Sequence, residues 1–460
     1  MSESKEIRML TGDPKNALIR LSIPMIIQNT VFTLYNIADG IWVAGLGHEA
    51  LAAVGLFFPV FMLFNALAFG LSIGSNSAVA RRIGAKDLHS ARVVAMHSFL
   101  IGIVISLIIL SSLFYLRTIL TILGAEGEVL RLSYEYGSIM IAGSVFLVYT
   151  NVSAGLMNGE GNAKRSMYAN AFGSILNVLL DPIFIYTFSL GVAGAALASV
   201  LCLAISTIIF IYWFQSGKSS LKPKRNRWSW KIVFDLLRVG IPASFGMIAM
   251  SISMMLINRI VLTVGGDHSL AVYSAVWRLI LIGFIPLFGI AGALTAVSGA
   301  SYGAKNAEKI RSAHRSALKF ALAVNILILG LMLLFAPQFA FVFAYTEKGI
   351  LIYDGVVDSL RVMAFILICA SIGITSTSIF QGIGKGERAL VLTLTRVSMQ
   401  VLVAYTLAIP ASLGFTGVLF GMVLGDAFAA ILSYLWVNAT IRSLFRSFES
   451  VKLHIDLRGD

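Results

Sequence analysis

Residues 18–47 read LIRLSIPMIIQNTVFTLYNIADGIWVAGLG, and the single acid in that run, Asp39, decides how the chain must be read. The stretch is long enough to cross a hydrocarbon core of roughly 30 Å at 1.5 Å rise per residue. A carboxylate at that depth costs about 2.5–3.5 kcal/mol on insertion scales, so it belongs against a cavity or a partner rather than lipid. Such an acid is a functional candidate before anything else is known.

Outward from this stretch, apolar runs of similar length recur over all 460 residues, of which 58% are hydrophobic. The mean hydropathy of +0.87 lies far outside the range of soluble proteins. The spacing predicts an all-α membrane protein with about twelve transmembrane helices, near 16–44, 50–80, 91–115, 132–157, 165–189, 191–214, 232–262, 270–300, 316–336, 356–381, 389–411 and 415–441. A transmembrane barrel is excluded, because runs such as IGIVISLIILSSLF do not alternate with period two. The first run follows a polar start and is too long for the core of a cleavable leader, so the first span is expected to remain. Cys202 and Cys369 both fall inside spans and read as packing residues.

The net charge of +13 is explained by where the cations sit. Basic residues fill every second connection: Lys5, Arg8, Lys15 and Arg20 at the start, then Arg81, Arg82, Lys86 and Arg92, then Lys164 and Arg165. The pattern continues with Lys218, Lys222, Lys224, Arg225, Arg227 and Lys231, with Lys305, Lys309, Arg311 and Arg315, with Lys385 and Arg388, and with Arg442 and Arg446. The intervening connections carry few cations. This is the positive-inside pattern over an even number of spans, with both termini cytoplasmic. No nucleic-acid motif accompanies the charge, so no nucleic-acid partner is expected.

The segment QSGKSSLKPKRNRWSWK divides the spans six and six, and the halves repeat. LIRLSIP at 18–24 matches LLRVGIP at 236–242, pairing Pro24 with Pro242; IGAKDLHSAR at 83–92 matches YGAKNAEKIR at 302–311; LGVAGAAL matches LGFTGVLF around Gly191, Gly194, Gly414 and Gly417. With six spans per half the repeat is parallel. The expected organisation is an N-terminal lobe at 1–215, a basic cytoplasmic linker at 216–231, a C-terminal lobe at 232–445 and a tail at 446–460. Two such lobes facing a central cavity have the geometry of alternating access.

The halves differ in their acids. Gln28, Phe32, Tyr35 and Asp39 fall at offsets 0, 4, 7 and 11 along one helix face, and Asn170, Ser174, Asn177 and Asp181 repeat those offsets in the fifth span. The second-half counterparts of the two acids are Ile257 and Ala404. Two carboxyls on matching stripes suit proton exchange, because burial disfavours their charge. A Na⁺ site built from Asp39, Asn177, Asp181 and carbonyl oxygens is the alternative. Pro24 can bend the first span and Pro182 frees a carbonyl beside Asp181. In the second half, Arg278 and Arg361 lie near span ends and are expected to snorkel, while Arg396 and Asp426 are expected to form a buried pair.

No Walker loop, HExxH or CxxC is present, and GIGKGER at 382–388 follows a span rather than a soluble strand. The expectation is a transporter rather than an enzyme, without cofactor, driven by an ion gradient.

Taken together, RLSIPMIIQNTVFTLYNIADGIWVAGLG, LAAVGLFFPV, ARRIGAKD, GEGNAKRSMYANAFGSILNVLLDPIFIYTFSLGVAGAALAS and FQGIGKGERAL resemble multidrug and toxic compound extrusion transporters, most of all the DinF-type prokaryotic branch. The resemblance covers residues 15–445. It implies twelve helices in two six-helix lobes and export of small amphiphilic, often cationic, compounds in exchange for H⁺ or Na⁺, with H⁺ ranked first, from a monomer in the cell membrane. It places cation coupling on Asp39 and Asp181, with Tyr35, Asn177, Tyr136 and Ser199 around them, and bending of the first helix on Pro24. Asp426 departs from that pattern and leaves a second coupling site open. The related lipid and lipid-linked oligosaccharide flippases are the runner-up, ahead of a gated channel.

Overall fold

The computed structural model describes residues 4–223, 228–343 and 350–456, with side chains to residue 450. Lys224, Arg225 and Arg227 of the basic linker, and the last four residues of the tail, lie outside the described residues.

The first half opens with a short helix α1 (Lys5–Thr11), followed by α2 (Pro14–Ala44) and α3 (His48–Gly84). Helix α4 (Leu88–Ser111) passes through a 3₁₀ turn into α5 (Leu116–Ile122). Helices α6 (Gly127–Ala142) and α7 (Ser144–Glu160) form one span bent by 49°. Helix α8 (Ala163–Pro182) continues as a π turn over Ile183–Thr187, and α9 (Gly191–Gln215) closes the half.

The second half begins with α10 (Trp230–Gly303), broken at Gly266, where φ is 62° and ψ −164°. Then come α11 (Ala307–Leu334), the short α12 (Ala336–Phe341), α13 (Tyr353–Met363) and α14 (Ile366–Gly382) bent by 43°, α15 (Gly386–Ala408) and α16 (Gly414–Asp456).

Among the described residues nine helices are long and apolar enough to cross a membrane, and the two bent pairs raise that number to eleven. The break at Gly266 supplies the twelfth. As one straight helix α10 would run to roughly 110 Å, more than three times the hydrocarbon core. The architecture is the expected one of twelve spans in two six-helix halves.

Both halves build the same turns from the same residues. In the two GAK segments, Lys86 (φ 60°) and Lys305 (φ 51°) adopt the left-handed conformation that ends one helix. The next residue caps the following helix: the amides of Ser90 and Lys309 donate to Asp87 Oδ1 and Asn306 Oδ1, each at 2.9 Å. The Ser90 hydroxyl and amide hold the Asp87 carboxyl below the usual carboxylate range. Ahead of the last span of each half, the amides of Leu190 and Leu413 donate to the carbonyls of Phe184 and Leu407, each at 3.2 Å. Gly194 and Gly417 pass so close to those carbonyls that an added Cβ would stand 2.6 Å from the oxygen. Only glycine fits such an approach.

The helices divide into two compact units, one of Met1–Thr11 with Ile23–Ser244 and one of Gly12–Ser22 with Phe245–Asp460. With apolar surface on both protein and lipid, helix association in a bilayer leans on close packing and interhelical hydrogen bonds. In the first unit Ser75 Oγ donates to Ser98 Oγ at 2.9 Å, and Ser133 Oγ donates to the Ala53 carbonyl at 2.9 Å. In the second, Asn325 Nδ2 donates to the Leu367 carbonyl at 3.1 Å and to Ser371 Oγ at 3.0 Å. These bonds fix the walls against which the polar stripes are placed.

Candidate functional site

Asp39 sits on α2, one turn beyond Tyr35, and Asp181 is the penultimate residue of α8, one turn beyond Asn177. The structure brings these four together within the first unit. The two carboxyl groups face one another at hydrogen-bonding range. Asp181 is fully buried and Asn177 nearly so, at 0% and 2% exposure. The Asn177 amide donates to Ser199 Oγ at 3.2 Å, and the same hydroxyl meets the Tyr35 hydroxyl at 3.5 Å. Tyr136 on α6 is buried, packs edge-on against Phe57 with centroids 5.7 Å apart, and lies within electrostatic reach of both acids and of Tyr35.

The charge balance of this cluster is its chief property. The ion pairs of Arg81 and Arg82 with Asp235, of Arg131 with Glu128 and Glu135, and of Arg361 with Asp358 all lie away from Asp39 and Asp181. Neither oxygen of Asp181, nor Oδ1 of Asp39, receives a hydrogen bond from a protein donor. Two facing carboxylates with no guanidinium or ammonium beside them repel strongly in a low-dielectric setting. Sharing a proton relieves that repulsion, and so does a hard cation with oxygen ligands. No group of three or more His, Cys, Asp or Glu side chains that could hold a metal ion occurs among the described residues.

The other stripe residues mark a second level of the same groove. Ser166 Oγ donates to Gln28 Oε1 at 3.1 Å, and Asn170 Nδ2 donates to the Ser166 carbonyl at 2.9 Å. Eleven residues separate Gln28 from Asp39, so the two levels stand roughly 16 Å apart along α2. Ser174 lies between them on α8, half-buried. Pro24 is buried within α2, which continues as a helix on both sides of it.

Three residues join the site that the sequence did not single out. Ser166 is one; its signal would have been its place one turn before Asn170 on the same face. Cys202, read as packing, lies beside Asp181 and Asn177, one turn beyond Ser199. Tyr186, in the π turn that follows Pro182, donates its hydroxyl to the Trp42 carbonyl at 2.6 Å and so ties the end of α2 to the end of α8.

Asp426 and Arg396 belong to the second unit, apart from this cluster. The buried pair expected between them does not close as an ion pair: no nitrogen–oxygen contact within 4.0 Å joins them, although Arg396 acts on Asp426 electrostatically. Asp426 is 1% exposed and sits beside Gln400, while Arg396 turns toward a neighbouring pocket. Arg361, expected to snorkel, is half-exposed and lies 3.9 Å from Asp358.

Comparison with known proteins agrees with this architecture. The MatE family model matches residues 24–183 and 242–406. The multidrug export protein MepA of Staphylococcus aureus is 24% identical over 430 residues, covering 92% of this chain and 93% of MepA. The outward-facing structure of a multidrug resistance MATE transporter of the MOP superfamily is 41% identical, with a TM-score of 0.94 over 97% of this chain and 100% of that one. A MOP superfamily transporter from Pyrococcus furiosus, described as having a binding pocket of reversed polarity that suggests a different function, is 42% identical, with a TM-score of 0.93 over 96% of this chain and 99% of that one.

Proposed function

The chain belongs to the MatE family of transporters, and on that footing we propose that it exports amphiphilic, often cationic, organic compounds in exchange for H⁺ by alternating access. It is a multi-pass membrane protein. We place it in the cell membrane with both termini cytoplasmic, as the distribution of cations over the connections requires.

The observation that carries the reading is the pair Asp39 and Asp181, two facing acids without a cationic partner. Such a pair takes up a proton from the outer solution when the surrounding helices open it to that side and releases it when they open it to the cytoplasm. Tyr35, Asn177 and Ser199 form the polar frame that keeps the carboxyls facing one another. Gln28, Ser166 and Asn170 extend a polar path along the same face. Na⁺ in place of H⁺ is the second reading, supported by the all-oxygen character of Asp39, Asn177 and Asp181. The flippase alternative gains no support from the named exporters.

Dye efflux from proteoliposomes under separately imposed pH, Na⁺ and voltage gradients tests the proposal. Export should follow the pH gradient and persist without Na⁺. Export indifferent to all three gradients would sink it, and dependence on Na⁺ alone would exchange the coupling ion.

A further inference from the structure

Two acids that face one another repel when charged, so the helix ends that carry Asp39 and Asp181 need a tie that the acids themselves do not make. One stands a single turn further on. The Tyr186 hydroxyl donates to the Trp42 carbonyl at 2.6 Å, and the two rings meet edge to face with centroids 6.4 Å apart. The acceptor is a backbone carbonyl in the last turn of α2, so the bond fixes the helix itself and not a side-chain rotamer. The contact between the Tyr35 and Ser199 hydroxyls, one turn before Asp39, is longer at 3.5 Å. Asp39 thus lies between a loose contact and a close one.

Local structure puts the hydroxyl there. Trp42 follows Asp39 by three residues and shares its face of α2. Tyr186 follows Asp181 by five, which in an α-helix would point it about 140° away. The chain past Pro182 instead runs as a π turn over Ile183–Thr187, in which the Phe188 amide donates to the Ile183 carbonyl at 2.9 Å. That wider i→i+5 register brings Tyr186 back toward the side of Asp181. Gly45 supplies the room, since an added Cβ would collide with the Tyr186 hydroxyl. The repeat offers a comparison inside the chain. The registers that pair Asp39 with Ile257 and Asp181 with Ala404 also pair Gly45 with Thr263 and Tyr186 with Ile409. At the counterpart positions the half without the acids has neither the donor nor the glycine that admits it.

We propose that Tyr186 is a positioning residue for the acid pair: its bond to the Trp42 carbonyl holds the end of α2 against the end of α8 and keeps Asp39 and Asp181 facing. This rests on the reading of the pair as the coupling site, and it applies to H⁺ and Na⁺ alike.

The geometry is tested without transport. In the full chain with Cys202 and Cys369 replaced by alanine, Asp39→Cys and Asp181→Cys put two thiols where the carboxyls face. One Hg²⁺ held by both soft thiolates resists a competing monothiol far better than Hg²⁺ held by one. Retention of Hg²⁺ against rising 2-mercaptoethanol, read by intact mass, should tolerate about tenfold more competitor in this protein than after Tyr186→Phe or Gly45→Ala is added. Both changes together should be scarcely worse than Tyr186→Phe alone, because without the hydroxyl the new methyl has nothing to displace. With the acids in place, Tyr186→Phe should lower the maximal rate of dye export several-fold and leave KM for the dye unchanged. No Hg²⁺ retention in the parent, equal retention after Tyr186→Phe, or an unchanged maximal rate would overturn the proposal. Wild-type export indifferent to every ion gradient would instead defeat the export reading, and the Hg²⁺ competition would still decide whether the tie holds the two positions together.

Discussion

Asp39 and Asp181 share one charge problem, and their separate replacement exposes it. An Asn at either position removes a carboxylate while keeping the shape and a hydrogen-bonding head. If the two acids hold one proton between them, each single variant should lower gradient-driven export at least tenfold while the thermal melting of the purified protein stays close to wild type. The double variant should be scarcely worse than either single one, because groups that act as a unit lose their effect together. Initial efflux rates in proteoliposomes read this directly, and an unchanged pH response in either single variant would return that aspartate to a packing role. The acids were legible because identical spacing put each at the end of a polar stripe on an otherwise apolar helix. The partners were less so. Ser166, Cys202 and Tyr186 are ordinary residues in membrane helices, and only the contacts of α8 and α9 select them. The separation of Arg396 from Asp426 was not legible either, since neighbouring helices fix the reach of two side chains but not the rotamers that bring them together or apart.

At the scale of the helix, Pro24 interrupts the hydrogen-bond ladder of α2 about four turns before Asp39, yet α2 runs from Pro14 to Ala44 as one helix. Bending there costs less than elsewhere, since one bond is already missing. Loss of charge at Asp39 removes the demand for polar surroundings and lets the end of α2 approach apolar surface. Driving such a change from 1:99 to 99:1 requires roughly 5.5 kcal/mol, whereas each pKa unit of difference between the two states supplies about 1.36 kcal/mol. Asp39 alone therefore tilts the equilibrium, and Asp181 and substrate must contribute the remainder. Pro24→Ala should slow exchange several-fold and narrow its pH response while substrate affinity stays within about twofold. Spin-label distances between α2 and α8 across pH check the cause: no movement in the wild type, or the same movement in the variant, would reduce Pro24 to packing. The proline was visible in the sequence. The π turn after Pro182 and the Tyr186 tie were not, because both depend on how α8 ends against α2.

Over the whole molecule, one duplicated plan carries two different chemistries. The repeat was legible in the sequence because the turns need particular residues: the GAK and Asp or Asn cap at 84–87 and 303–306, and the glycines 194 and 417 pressed on a carbonyl, have few substitutes. Residues that line the pockets are under no such geometric demand, so they diverged between the halves while the turns did not. This predicts that the acid function cannot be moved across the repeat. Ile257 occupies the counterpart position of Asp39 and lines the same pocket as Arg396. An aspartate placed there would meet a guanidinium rather than a second carboxyl. The resulting ion pair would remain charged through the pH range in which the acid pair exchanges its proton, because an adjacent cation favours the carboxylate. Ile257→Asp introduced into Asp39→Asn should therefore leave pH-driven export no more than about a tenth of wild type. Adding Arg396→Gln to that pair of substitutions would free the new carboxyl, but Ala404 stands where the second acid is needed, so export should still not return. Recovery of pH-driven efflux by Ile257→Asp alone would mean that the position within the repeat, and not the facing pair of carboxyls, determines coupling.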